Sequence, residues 1–289
     1  MTTLTLGGGP RQLTVTVSTV GARVCQITDP SGREWLVDDG RPEPTSEVPI
    51  PFDQGTRGGW DDCFPSIDAE ADPRGDRMIA DHGDFWFRPW AVSAVNAMST
   101  TMRTTGIAHP LRAEKTVRLR QDASIVEIDY VLTNISDAPY RFLFSGHPLF
   151  RWTDDAVLKI PRGGRVTPAF GLPGRVGVWP RLDGRDISRI PSERGPMMKK
   201  FFVEWDGSVT LSFRSGHSLT LRQSTDVTPW LGVCINAASW PAHDPGSDWI
   251  ALEATTSPHD SLTQALQSGT AFVLDPSERV VWTTSAEFH

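Results

Sequence analysis

Three short segments of this chain set a titratable side chain among aromatic or apolar neighbours. In Asp81-His82-Gly83-Asp84-Phe85-Trp86 a histidine lies between carboxylates and an aromatic pair, and Gly59-Trp60-Asp61-Asp62-Cys63-Phe64-Pro65 upstream has a similar mixture. Ser145-Gly146-His147-Pro148-Leu149-Phe150 places a second histidine directly after an alternating apolar stretch. The proline after it favours extended backbone there, which predicts a histidine at a strand end. Trp249-Ile250-Ala251-Leu252-Glu253 closes an apolar stretch on a carboxylate, and Pro258-His259-Asp260-Ser261 follows. Burial would raise the pKa of that glutamate unless a partner holds it charged. Histidine titrates near neutrality, so two histidines and a part-buried glutamate make an acid–base set if they meet in space. Each segment also has a plainer reading. Such aspartates cap turns, a histidine beside an apolar strand is a structural hydrogen-bonder, and Glu253 is a strand-edge ion pair. His109-Pro110-Leu111 repeats the tripeptide of His147 without its context. It is expected to lie outside any site.

Such residues need a scaffold, and the chain's dominant pattern is period-two alternation between turns. Leu13, Val15 and Val17 alternate with Thr14, Thr16 and Ser18; Val126, Ile128, Tyr130 and Leu132 share one face; Tyr140, Phe142 and Phe144 form another set. These patterns predict half-buried strands. Phe201, Val203 and Trp205 run into Asp206-Gly207 and out through Val209, Leu211 and Phe213, a hairpin signal. A second hairpin is expected through Ser215-Gly216 into Leu219 and Leu221. Helix signals are scarce, the best being a capping box at Ser261 to Gln264 with a stop at Gly269. The Pro/Gly-rich stretches 41–60, 161–184 and 241–247 read as long loops. The expectation is an all-β chain, 1–289, forming a single domain of packed, mostly antiparallel sheets.

Composition narrows the partners. A formal charge of −7 argues against nucleic acid and anionic membranes, which attract positive surfaces. Eleven tryptophans against two tyrosines must be buried or line a binding surface. Cys25, Cys63 and Cys234 show no CxxC spacing, and no secretory signal precedes them. They read as free thiols of a cytoplasmic protein.

Taken in order, the segments resemble the aldose 1-epimerase, or galactose mutarotase-like, family. Gly21-Ala22-Arg23-Val24 with Ser31-Gly32-Arg33-Glu34 resembles its opening strand and turn, and Asp81-His82-Gly83 its His-Gly element. Gly146-His147-Pro148-Leu149-Phe150 is similar to its general-acid segment. Thr228-Pro229-Trp230-Leu231-Gly232-Val233, then Leu252-Glu253 with Pro258-His259-Asp260-Ser261, resemble its general-base region. The resemblance implies a β-supersandwich with the site on a concave sheet face and a small-molecule sugar as substrate. It also implies interconversion of the α and β anomers of an aldohexose by acid–base ring opening and closure. Glu253 would be the base, His147 the acid, and His82 a hydrogen-bonder to the sugar, with no metal or organic cofactor. Trp60, Trp86 and Phe150 would stack on the sugar, and Arg57 and Asp62 would contact it.

Other functions use the same residues differently. A catalytically silent carbohydrate-binding relative would not need the acid–base set. An epimerase of phosphorylated hexoses would gather Arg57, Arg74, Arg77 and Arg88 at the pocket rim. A glycoside hydrolase would pair Asp61 or Asp62 with Glu253 across the scissile bond.

Overall fold

The computed structural model of the chain describes residues 2–7, 9, 12–41, 43, 48, 50–106, 109–121, 123–191, 195–243, 246 and 248–289. The alternating segments pair into two large antiparallel sheets. One orders its strands as Thr3–Gly7, Thr14–Ser18, Val24–Thr28, Trp60–Cys63, Ser145–Arg151, Trp249–Thr255, Trp230–Ala237, Met197–Glu204 and Arg165–Phe170, then three two-residue strands. The other runs Arg189–Ile190, Ala156–Lys159, Ser208–Phe213, Ser218–Gln223, Arg279–Phe288, Ile125–Asn134, Leu111–Leu119, Ser99–Thr105 and Ala91–Val95. The fold is all-β, as the alternation predicts. Ile125–Asn134 shows the reason, since every second residue from Val126 to Asn134 is buried while its neighbours are half-exposed. One apolar core draws Val15, Phe150, Phe201 and Ile250 from the first sheet and Val117, Ile128, Leu211 and Leu221 from the second. Burial of this kind is the main force that holds such layers together.

One expected hairpin is corrected. Met197–Glu204 pairs with Trp230–Ala237 and Arg165–Phe170, whereas Ser208–Phe213 pairs with Ala156–Lys159 and Ser218–Gln223. The chain therefore changes sheets at Asp206-Gly207, where Gly207 has φ 83°. Both flanking segments bury their apolar sets in the same core, and alternation looks the same for strands side by side as for strands facing across a core. The Ser215-Gly216 hairpin forms as expected, with Leu211 opposite Leu219 and Val209 opposite Leu221. The helix is Leu262–Gln267, its N-cap Ser261 accepting from the Gln264 amide and Gly269 beyond it at φ 71°. Stretch 161–184 is not all loop, because it contains Arg165–Phe170. Parts of 41–60 and 241–247 lie outside the described residues. Among those residues no helix is long and apolar enough to cross a membrane.

Across the core Lys115 of the second sheet donates to Asp62 of the first at 2.7 Å, and the Tyr130 hydroxyl donates to the same carboxylate at 2.9 Å. A buried charge must be paired and hydrogen-bonded, and these partners fix Asp62 on the core face of its strand.

Candidate active site

Away from that core, the first sheet presents a face lined with polar groups. Side chains two apart on a strand share a face, so Trp60, Asp62 and Phe150 enter the core while Asp61, Cys63, His147 and Leu149 point the other way. On the next strand Trp249, Ala251 and Glu253 share that outer face, and Met198 and Lys200 do so two strands further. A cavity of about 180 Å³ opens there, lined by Phe52, Ile67, Asp68, Asp81, His82, His147, Leu149, Phe170, Met198, Lys200, Cys234, Trp240, Trp249, Glu253 and Asp260. It is below the ~300–1,000 Å³ of pockets for drug-sized ligands, a scale that suits one sugar ring.

His147 is the third residue of its own strand rather than a strand-end residue, and it sits opposite Asp61 on Trp60–Cys63. Its Nδ1–H donates to the Asp61 carboxylate at 3.1 Å. Burial opposes charge on both groups. The hydrogen bond and the mutual attraction prevail, and they raise the His147 pKa above its ordinary value while lowering that of Asp61. The Asp61 contact orients the His147 ring and favours its charged form.

His82 reaches the cavity from a turn. It adopts φ 60°, and Gly83 follows at φ 78°, where an added Cβ would lie 1.7 Å from the Phe64 carbonyl oxygen. Only glycine fits there. The His82 Nδ1–H donates to Asp81 at 2.7 Å, and its ring stacks on Phe52 with centroids 3.7 Å apart. The His82 and His147 rings are 5.0 Å apart.

Glu253 is fully buried in the middle of Trp249–Thr255. The partner that holds it charged is Lys200, whose ammonium donates to Oε2 at 2.6 Å and lies 2.7 Å from Asp260. Burial works against the ammonium, but these two carboxylates raise its pKa, so it stays charged. Oε1 of Glu253 has no hydrogen-bond partner among the described residues. One carboxylate oxygen is anchored, and the other is buried without a hydrogen bond among the described residues. Gly232 stands opposite, where a Cβ would come within 3.3 Å of Oε2.

His82, His147 and Glu253 therefore line one cavity, and the expected substrate contacts are corrected. Trp60 and Phe150 belong to the inter-sheet core, and Asp62 is held by Lys115 and Tyr130. Trp86 packs edge-on behind Phe52, with its indole N–H on the Asp81 carbonyl. Arg57 pairs with Asp39 at 3.0 Å beside a neighbouring depression. The aromatic wall comes instead from Phe52, Trp240 and Trp249. Two further residues escaped the sequence reading although signals existed. Lys200 interrupts the apolar run Met197–Glu204, and Trp249 stands four residues before Glu253 on the same strand face.

His109 lies outside the cavity, with Nδ1 3.3 Å from the Arg74 guanidinium. Burial, and then the charge of Arg74, pushes its pKa down to about 4 from 6.5. A depressed histidine adds no cost while neutral, and costs stability once the unfolded chain protonates first. Stability is expected to fall between pH 6.5 and about 4, by up to roughly 3 kcal/mol from this group. Urea unfolding across that range should show a shallower pH slope for His109→Gln than for wild type; equal slopes would dismiss the effect.

No protein-family profile matches the sequence, and no curated protein matches it. Solved structures do. Protein Slr1438 from Synechocystis sp. PCC 6803 superposes with a TM-score of 0.74 at 16% identity, covering 99% of this chain and 95% of that one. A galactose mutarotase related enzyme from Lactobacillus acidophilus gives 0.71 at 13% identity, over 100% and 97% of the two chains. A galactose mutarotase-like protein from Lactobacillus casei ATCC 334 gives 0.69 at 17% identity, over 100% of each. At such identities the likeness establishes the fold, which is the galactose mutarotase-like β-sandwich.

Proposed function

We propose that this chain, folded as a galactose mutarotase-like sandwich, interconverts the α and β anomers of an unphosphorylated aldohexose. The observation that carries the reading is Glu253, with one oxygen anchored on Lys200 and the other unpartnered, sharing a cavity with His147 held as an acid by Asp61. Anomer exchange needs one base and one acid acting together. Oε1 of Glu253 takes the proton of the anomeric hydroxyl while the C1–ring-oxygen bond breaks. The electron pair of that bond goes to the ring oxygen, which His147 protonates. Rotation about C1–C2 turns the aldehyde, and the reverse transfers close the ring with the other configuration. His82, oriented by Asp81, donates to a sugar oxygen, and Trp249, Trp240 or Phe52 offers an apolar face to the ring.

The alternatives lose their residues. Asp62 points into the core and Asp61 is engaged by His147, which leaves the hydrolase reading without a second cavity carboxyl of that pair. For phosphorylated sugars the expected arginines do not line the cavity: Arg57 pairs with Asp39 in a depression that shares Trp240 and Trp249 with it. Arg74 and Arg77 lie near His109, and Arg88 donates to the Thr105 carbonyl. The cavity is instead lined by Asp68, Asp81, Glu253 and Asp260, with Lys200 engaged by two of them. That field repels a phosphate dianion.

Polarimetry of freshly dissolved α-aldoses, with and without protein, tests the reading. The protein should speed equilibration of a neutral hexose, and prefer it to the 6-phosphate by roughly tenfold or more, since like charges brought together cost several kcal/mol. His147→Ala should lower the rate about 10²-fold. Binding of a sugar without acceleration would sink the catalytic reading in favour of a silent carbohydrate-binding protein.

A further inference from the structure

Beneath the two histidines lies a third potential ligand that anomer exchange does not use. Cys63 follows Asp61 by two residues on the same face of Trp60–Cys63 and is buried beside Ile67, Ile79 and Leu143. Its Sγ and one ring nitrogen from each of His82 and His147 all lie within 4.8 Å of one another. We propose that Cys63, His82 and His147 form a binding site for a zinc-class divalent ion, and that the ion switches the cavity off by occupying the nitrogens a sugar would use.

Several independent features fit. A thiol and two imidazoles form a mixed sulfur–nitrogen donor set, which favours zinc over magnesium or calcium. Each imidazole already gives its Nδ1–H to a carboxylate, His147 to Asp61 and His82 to Asp81. That is the outer arrangement by which proteins orient metal-binding histidines and make them better donors. It leaves Nε2 of both rings for the ion. The surrounding carboxylates offset the added positive charge. Zinc bond lengths of about 2.0–2.3 Å set a tetrahedral edge of roughly 3.5 Å, so the three ligands close in modestly by side-chain rotation. Binding converts Cys63–SH to a zinc-bound thiolate and releases that proton to solvent, and His147 gives up its Nε2 proton. An ion there removes the acid of the proposed reaction. The inhibition rests on the proposed function, but the binding does not.

The test uses the full chain, freed of metal with a chelator, and Zn2+ or Co2+ alone as probe. Wild type should take up one equivalent of Zn2+ with release of protons, and Co2+ should give a thiolate-to-metal charge-transfer band. Cys63→Ala should lose that band and bind Zn2+ at least about tenfold more weakly, the smaller end of losses seen even for outer-shell changes. Its melting transition should stay cooperative, and its metal-free mutarotation rate should match wild type. Zn2+ should inhibit wild type over the concentration range in which it binds, and spare Cys63→Ala there. Equal Zn2+ affinity in the variant, or a Co2+ spectrum without the thiolate band, would overturn the site. Metal uptake with these signatures but no mutarotation at any Zn2+ level would leave the site standing and remove the proposed function instead.

Discussion

Glu253→Gln is expected to lower the anomer interconversion rate by at least about 10²-fold, the usual scale for a positioned base. The amide keeps the shape of the carboxylate, and its carbonyl oxygen still accepts from Lys200, which remains paired with Asp260 at 2.7 Å. What is lost is the unpartnered oxygen that would accept the anomeric proton in the proposed reaction. The variant should melt close to wild type and bind the sugar with little change, so kcat falls while KM moves little. Calorimetric titration with the sugar, beside polarimetry, separates these outcomes. Loss of binding and folding together would make Glu253 a structural ion-pair partner and remove it from the chemistry.

Lys200→Met should affect stability more than any other change in the cavity. The lysine is buried between Glu253 and Asp260, and removing it strands two carboxylates in surroundings that give little hydration. Breaking a buried pair from one side costs about 3–5 kcal/mol, because the remaining charge has no compensation. For a chain of this size that corresponds to a fall in Tm on the order of 10 °C. Activity should fall as well, since an uncompensated Glu253 is driven towards its protonated form and then cannot act as a base. The double variant Lys200→Met with Glu253→Gln distinguishes the causes. Relief of the stranded charge should return part of the lost stability, a coupling that a double-mutant cycle reads directly. If the double variant is no more stable than Lys200→Met, the loss came from packing around the lysine stem.

The sequence determined the strands and their faces, because alternation is a property of each segment alone. The buried positions Val126, Ile128, Tyr130 and Leu132 were legible one by one, though not the buried Asn134 that follows them, and so was the Ser261 cap, whose hydroxyl accepts from a backbone N–H only three residues away. It also marked His82, His147 and Glu253, through Gly83, Pro148 and the apolar run before the glutamate. Which sheet a strand joins was not legible. Met197–Glu204 and Ser208–Phe213 look like a hairpin, yet they stand in different sheets, since one alternating pattern satisfies lateral pairing and packing across a core equally well. The same ambiguity misplaced Trp60, Asp62 and Phe150. The face on which an aromatic falls is set by its neighbours across the sheet, and both faces of the central strands Trp60–Cys63 and Ser145–Arg151 are buried here. Lys200 needed a partner by its burial, but the identity of that partner depended on strand order. Trp230–Ala237 lies between Met197–Glu204 and Trp249–Thr255, and the long side chain of Lys200, which stands opposite Cys234, reaches across it to Glu253. Local chemistry could mark the titratable residues; long-range pairing alone brought them to one cavity.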